Sequence, residues 1–196
     1  MASTYTPLGV ELMATGENAG TWGTKTNTNL NIIEQISGGY KVQTLNAAGA
    51  GANTTALTEA DGATGATVAT RIIVLGAESP QTISGNKIVT FPVGVENFYL
   101  IKNSTSGANT VQLKAASGSG ATVTWSATEK SWKLVYFDGV ATNTGVYEIA
   151  LASPPGGSNT EVQFNNSGSF GGSENLAWDG SNLQIGDQGD LRLGDA

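Results

Sequence analysis

Apolar side chains recur at helical spacing near the start of the chain. They fall three or four positions apart at Leu30, Ile33, Ile36 and Tyr40. This spacing places the four side chains on one face of a helix. A glycine pair at 38 and 39 ends the pattern, and candidate caps precede it at Thr24, Thr26 and Asn27. We predict one helix of about three turns, which must pack on the chain itself, a second copy or another protein to be stable.

Short apolar runs separated by turn-forming residues follow the helix. They have the alternation of strands over residues 40–45, 68–75, 81–83, 87–91, 98–103, 110–114, 122–125, 131–137 and 146–149. Turns are expected at 76–80 and at Asp138-Gly139, which is a strong hairpin signal. Strands at spacings of about 10 residues predict an antiparallel sandwich or barrel-like fold. The expected core aromatics are Phe91, Phe98, Trp125, Trp132, Tyr136 and Phe137.

Residues 161–196 show a different pattern, in which apolar residues come in pairs two positions apart. The pairs are Val162 and Phe164, Leu176 and Trp178, Leu183 and Ile185, and Leu191 and Leu193. Strands with two inward residues each cannot form a stable core within one chain. Several copies sharing an axis could form one, as in fibrous β shafts, which are usually threefold. We therefore expect the start of a fibrous β shaft here; a poorly ordered tail is the alternative.

These patterns divide the chain into four parts. Residues 1–45 comprise an extended arm and the helix, and residues 46–150 a β-sandwich domain. Two prolines and two glycines mark residues 151–160 as a linker, and residues 161–196 begin the shaft. The predicted fold class is mainly β: an N-terminal arm plus one short helix, an antiparallel β-sandwich domain, and the start of a trimeric fibrous β shaft.

Composition and charge disfavour several classes of partner. Among 196 residues only 13% are charged, and the formal net charge is −7. Lys and Arg form no cluster that could neutralise phosphates, so we expect no nucleic-acid partner and no anionic membrane. The N-terminus lacks a basic segment followed by an apolar core, so no signal peptide is expected, and no run is long enough to span a membrane. We expect a soluble protein made in a cytoplasm.

Catalytic and metal-binding chemistry finds little support. Because the sequence has no Cys and no His, it cannot form disulfides, Cys/His zinc sites or a His-based triad. Three aspartates lie among glycines but lack a calcium-loop spacing, so we favour turn capping: Asp187, Asp190 and Asp195. Two carboxylate pairs suggest glycoside hydrolysis only weakly, since nothing places them across a cleft: Glu59 with Asp61, and Glu17 with Glu34. We expect no enzymatic activity, no cofactor and no metal.

Three segments carry a resemblance to bacteriophage proteins. Residues 16–33 read GENAGTWGTKTNTNLNII, a Trp-Gly loop leading into an Asn-x-Ile helix. This segment resembles the start of phage tail fibres and related virion proteins, such as those of marine and cyanobacterial podovirus-like phages. Residues 98–139 are similar to β-sandwich repeats of phage tail and fibre proteins. Residues 156–180, with GGSNTEVQFNNSGSFGG and Trp-Asp-Gly, resemble linkers at the head of fibre shafts.

The resemblance implies a structural virion protein, assembled in the host cytoplasm, that anchors a tail fibre and projects it towards a host receptor. The expected partners are two further copies of the chain in a homotrimer, and other virion proteins of the tail. Host-surface glycans would be bound through distal parts of the fibre. The expected docking or trimer contacts are Trp22, Leu30, Ile33, Ile36 and Tyr40. Two alternatives stay open: a capsid-attached fibre or decoration protein, and a monomeric carbohydrate-binding adhesin.

Overall fold

A computed structural model describes residues 2–46, 53–151 and 155–186. The chain forms two compact units, Met1–Ile149 and Ala150–Ala196. The described residues are mainly β, with one α-helix and several sheets. This confirms the predicted mainly β class.

Helix α1 extends from Trp22 to Gly38 over 17 residues, which is longer than the predicted three turns. Thr21 precedes it without a side-chain capping bond, and the Lys25 amide donates to the Thr21 carbonyl at 3.1 Å. The proposed caps were wrong, because all three lie within the helix: Thr24, Thr26 and Asn27. The glycine stop is confirmed, since the Gly39 amide donates to the Gln35 carbonyl at 2.7 Å.

The N-terminal arm is a hairpin rather than a fully extended segment. Strands β1 (Thr4–Tyr5) and β2 (Glu11–Leu12) pair antiparallel. Gly9 lies between them with φ of +82°, and the Gly62 amide donates to its carbonyl at 2.8 Å. A Cβ on Gly9 would clash with the Ala60 carbonyl oxygen. Glycine at this position therefore allows the arm to lie against the chain around residue 60.

Two larger sheets follow the helix. Their strands are β3 (Tyr40–Gln43), β4 (Asn53–Ala56), β5 (Ile72–Thr82), β6 (Lys87–Phe91), β7 (Glu96–Ser106), β8 (Val111–Ala115), β9 (Val123–Trp125), β10 (Trp132–Asp138) and β11 (Val146–Glu148). A short 3₁₀ helix, Thr67–Ala69, precedes β5. One sheet has five strands in the order β11-β10-β7-β5-β3, and the other has four in the order β4-β6-β8-β9.

From β3 to β8 the chain passes alternately from one sheet to the other. Successive strands within each sheet are therefore laid side by side in the same direction, as the parallel pairs β3–β5, β5–β7, β4–β6 and β6–β8 show. The prediction of an antiparallel fold was wrong for these pairs. It holds for β8–β9, β7–β10 and β10–β11, where the chain reverses direction between neighbouring strands.

Two expected turns also differ. Residues 76–80 do not end a strand but form an irregularity within β5, which resumes its pairing with β7 at Gln81. Gly139 has φ of +67°, yet β10 and β11 are joined by a loop longer than a two-residue hairpin. The Asp138 carboxylate holds that loop by accepting the amides of Val140 at 3.1 Å and Gly145 at 2.9 Å.

Alternate residues of both sheets point into one hydrophobic core. Phe91 of β6 stacks on Phe137 of β10 with ring centroids 3.8 Å apart, and Tyr99 of β7 lies 4.6 Å from the same ring. Trp125 is fully buried in this core, as is Leu113. Three of the six expected core aromatics point the other way and are partly exposed: Phe98, Trp132 and Tyr136.

The second unit consists of two small hairpins. Strands β12 (Phe164–Asn166) and β13 (Ser169–Gly171) form one, and β14 (Leu176–Trp178) and β15 (Leu183–Ile185) form the other. A bridge between Glu161 and Ala177 connects the segment before β12 to β14. Within residues 155–186, no residue is buried.

Gly9→Ala is expected to destabilise the protein more than Gly16→Ala. Both glycines have φ near +80°, at 82° and 79°, so both substitutions carry a backbone penalty of about 1–2 kcal/mol. Only at Gly9 does the new methyl group meet a backbone carbonyl, since nothing lies within 4 Å of a Cβ at Gly16. Urea unfolding of the two variants measures the difference; equal losses would contradict the close approach at Ala60.

Candidate assembly surfaces

Helix α1 lies against the protein through a side on which most residues are polar. Its one buried residue is Ile32, which is flanked on the same side by the partly buried Lys25, Thr28 and Gln35. This arrangement reverses the usual one, in which the apolar stripe of a helix faces the core.

Amide side chains hold the helix in this orientation. Asn29 accepts the Glu11 amide at 2.9 Å and donates to the Glu11 carbonyl at 2.9 Å, which adds a partner to strand β2. Gln35 accepts the Gly65 amide and donates to the Ala66 carbonyl, each at 2.9 Å. Each amide therefore satisfies one backbone donor and one backbone acceptor, which requires these polar side chains on the inward side of the helix.

An ion pair completes the contact between arm and helix. Lys25 Nζ lies 2.9 Å from Glu11 Oε2, and Asn18 donates to Glu11 Oε1 at 3.2 Å. The Lys25 ammonium lowers the pKa of the buried Glu11 carboxyl, and the Glu11 carboxylate raises the pKa of Lys25. Both shifts favour the charged pair over its protonated or deprotonated forms.

The apolar side of the helix consequently faces outwards. Trp22 is 66% exposed, Leu30 57% and Ile33 48%. Trp22 and Ile33 are close to three full turns apart and so lie on the same side. We call these three residues the helix stripe. The prediction that Tyr40 lies on the helical face was wrong, because Tyr40 begins strand β3, where it is half exposed. Ile36, the other expected contact residue, is half buried. A shallow pocket beside Trp22 is lined by Met13, Ala14, Gly16, Asn18 and Ala19.

The expected shaft residues are also largely exposed. Phe164, Trp178, Leu183 and Ile185 are each roughly half exposed, while Val162 and Leu176 are partly covered. Trp178 and Leu183 are register partners across β14 and β15, so they lie side by side on one face of that hairpin. Phe170, which the sequence pattern missed, is 59% exposed. Leu191 and Leu193 lie outside the described residues.

A third apolar surface was not anticipated. The face of the five-stranded sheet that points away from the core, here called the outer face, carries aromatic and aliphatic side chains on all five strands. Five are substantially exposed: Tyr40, Phe98, Trp132, Tyr147 and Ile149. The signal was present in the run Trp132-Lys-Leu-Val-Tyr-Phe, which is apolar on both faces of a strand apart from its lysine.

The chain matches no protein-family model, no curated protein and no solved structure. Across residues 2–46, 53–151 and 155–186, no helix is both long and apolar enough to cross a membrane. The same ranges contain no group of three or more carboxylates arranged to hold a metal ion.

Ile32→Ala and Ile33→Ala test the orientation of the helix with neighbouring residues of the same type. Removing the buried Ile32 side chain is expected to lower the free energy of unfolding by about 2–5 kcal/mol. Removing the exposed Ile33 side chain is expected to change it by less than about 0.5 kcal/mol. Chemical denaturation of both variants makes the comparison; a larger loss for Ile33→Ala would mean that the apolar side faces inwards.

The Glu11–Lys25 pair predicts a characteristic pH dependence. Because the folded pKa of Glu11 is lowered, its stabilisation is present above the ordinary value of 4.5 and is lost as the pH falls through the folded value. Because the folded pKa of Lys25 is raised, its share is present below 10.5 and is lost as the pH rises above that value.

Thermal unfolding from about pH 3 to about pH 11 should therefore show a melting-temperature difference between the native chain and Glu11→Gln that is largest near neutral pH. The difference should shrink at both ends of the range. Comparing with Glu11→Gln isolates this pair from other carboxyls whose pKa is also lowered, such as Asp138. A difference that stays constant with pH would refute the ion pair.

Proposed function

We propose that this protein is a structural virion protein, the proximal part of a phage tail fibre, and that it works by assembly rather than catalysis. In this proposal residues 161–196 begin a trimeric fibrous β shaft, and the two-sheet body forms a sandwich-like shoulder. The helix stripe docks onto another virion protein and anchors the fibre to the tail. The fibre projects towards a host receptor that its distal parts bind.

The observation that carries the proposal is the state of the second unit. Its two hairpins hold several large apolar side chains, yet none of the described residues 155–186 is buried. Isolated two-stranded hairpins are at best marginally stable in water. Copies of the unit sharing an axis would bury Phe164, Trp178 and Leu183 against one another, and a threefold axis is the usual arrangement of such shafts.

The helix stripe supports the attachment role. Trp22 is the most exposed of its residues and lies at the first turn of α1, beside the shallow pocket formed by the preceding loop. Tryptophans at the centre of exposed apolar patches are typical anchors of protein interfaces. The chemistry of the stripe is uncharged, so its partner should present an apolar groove.

The sequence resemblances support the proposed function independently of the exposed surfaces. The Trp-Gly motif covers residues 16–33, which is the loop and helix that carry the stripe, and the shaft-head resemblance covers residues 156–180, which includes the hairpin β12–β13. A capsid-attached fibre or decoration protein would use the same surfaces with a different partner.

A monomeric carbohydrate-binding adhesin is the second candidate function. The exposed aromatics of the outer face favour it, because aromatic rings on a sheet can stack on sugars. Arg71, however, covers one of these rings, with its guanidinium carbon 3.9 Å from the centre of Phe98. We therefore rank this function below the structural one.

Light scattering on a sizing column tests the shaft proposal. The native chain is expected to include a species of three chains, and Trp178→Ser together with Leu183→Ser is expected to abolish it. Each substitution removes a contact worth roughly 1.5–3 kcal/mol per chain if fully buried, which corresponds to at least about a tenfold weakening of association.

Leu151→Ser is the matched control, since Leu151 is 81% exposed and lies before both hairpins. This variant should keep the three-chain species. A native chain that never forms multiples of three, or a double variant that still does, would refute a shaft core built from these residues.

A further inference from the structure

The outer face of the five-stranded sheet is organised in rows across neighbouring strands. In one row Tyr147, Tyr136 and Phe98 are register partners, and in the next row Leu134, Leu100, Ile72 and Tyr40 are register partners. Ile149 extends this second row, because its amide donates to the Leu134 carbonyl at 2.8 Å. A third row contains Trp132, Lys102, Val74 and Val42. The second row is therefore apolar over the whole width of the sheet, while the Arg71 guanidinium lies above Phe98 in the first row and Lys102 belongs to the third.

The exposed area matches what an interface requires. Four aromatic side chains of the face are about half exposed: Tyr40, Phe98, Trp132 and Tyr147. With about 150–250 Å² per aromatic side chain, these residues and Ile149 leave on the order of 400–500 Å² of apolar surface in contact with water. A standard interface uses about 800 Å² per partner, of which about 65% is apolar in homodimers. The outer face supplies most of that apolar share.

Charges lie at the two ends of this face and differ in sign. Glu96 and Asp138 are register partners at one end of strands β7 and β10. Lys102 is at the other end, where its ammonium lies 5.8 Å from the centre of the Trp132 ring. The Arg71 guanidinium, above Phe98, adds one positive charge towards the acidic end, so the formal charge of that end is −1 against +1 at Lys102. Glu96 and Lys102 are separated along β7 by roughly 20 Å of extended strand.

We propose that the outer face is a contact between two copies of this chain, packed face to face about a twofold axis. The axis lies between the two sheets and runs parallel to the rows, midway between the Phe98–Tyr136 row and the Leu100–Leu134 row. The strands of the second copy therefore run in the opposite direction. It places Lys102 of each copy over Glu96 and Asp138 of the other. The aromatic and aliphatic rows then cover one another at the centre.

Self-complementarity is the reason for choosing a second copy over another protein. The midpoint between Glu96 and Lys102 on β7 is residue 99, and the midpoint between Asp138 and Trp132 on β10 is residue 135; Tyr99 and Val135 are register partners. One axis therefore relates the ends of both strands, with Lys102 of one copy opposite Glu96 of the other and Trp132 opposite Asp138. A copy packed with parallel strands would instead set Lys102 against Lys102 and Glu96 against Glu96, which is unfavourable.

This contact goes beyond the proposed function and does not rest on it, because it involves only the first unit. The proposed shaft contact involves only the second unit. If both contacts form, the number of chains in the assembly is a multiple of six. If only the face contact forms, the protein is a dimer; if only the shaft contact forms, it is a trimer. Molar mass therefore separates failure of one proposal from failure of the other.

A charge exchange between copies tests the geometry directly. Lys102→Glu alone places acidic groups opposite one another at both ends of the contact, and Glu96→Lys alone removes the acidic counterpart of Lys102 and adds a like charge. Each variant alone is expected to weaken the pairing at least about tenfold. Mixing the two variants sets the introduced carboxylate at position 102 of one chain opposite the introduced ammonium at position 96 of the other. The mixed pair should therefore form with nearly native affinity.

The experiment uses residues 1–196, with sedimentation velocity over a range of concentrations and one variant carrying a mass or fluorescent label. Lys114→Glu on β8 of the other sheet is the matched control, since it makes the same charge change away from the face and should pair like the native chain. Circular dichroism confirms that each variant keeps the native fold. Glu96 is preferred to Asp138, because Asp138 also holds the loop before β11.

Two chains, or a multiple of six, for the native protein together with rescue in the mixture would establish the contact. A native protein of one chain or three at every concentration overturns it. Pairing that Lys102→Glu leaves unchanged, or that the mixture fails to restore, overturns the twofold arrangement and leaves the face to a different partner.

Discussion

The core between the two sheets is the constraint on which the first unit depends. Phe137 stands at its centre, stacked on Phe91 from the opposite sheet and in contact with Tyr99 of its own. Neither sheet could bury its inner face without the other, and the chain supplies both sheets at once by crossing between them after almost every strand. From β3 to β8, pairing within a sheet therefore joins strands that are separated in sequence by a strand of the other sheet. The parallel ladders follow from this crossing between the two sheets.

Local patterns predicted where most strands lie, because the alternation of apolar and polar residues is a property of each strand alone. They did not predict strand direction, since β5 pairs with β3 and β7 rather than with β6, and only the crossing between sheets decides this. The turn expected at 76–80 was wrong for a related reason. Glycine and proline there predict the end of a strand, but β7 continues alongside and pairs with β5 again at Gln81. The mixed burial of Trp132 to Phe137 shows the same limit, because a run that is apolar on both faces does not reveal which face is the core.

The candidate surfaces were anticipated in part. Helical spacing correctly placed Leu30 and Ile33 on one side, but spacing alone cannot say whether that side faces the protein or the solvent. Asn29 and Gln35 determine which side of the helix faces the protein. Their amides satisfy backbone groups of Glu11, Gly65 and Ala66, which lie far away in sequence. The sequence pattern did not predict the outer face, because its rows of side chains form only when the five strands lie side by side. A surface formed by strands that are distant in sequence therefore cannot be predicted from the pattern of apolar and polar residues along the chain.

The order of strands in the five-stranded sheet also has a mechanical meaning. The chain enters this sheet from α1 at one edge, through β3, and leaves it for the second unit at the opposite edge, through β11. A pulling force between the helix and the second unit is therefore transmitted through every strand in series. The load it can bear is limited by the shortest ladder, which is β10–β11 with three register pairs, against four for β3–β5. Under tension the sheet would yield first at the exit side, where loss of β11 would also remove Val146 from the core.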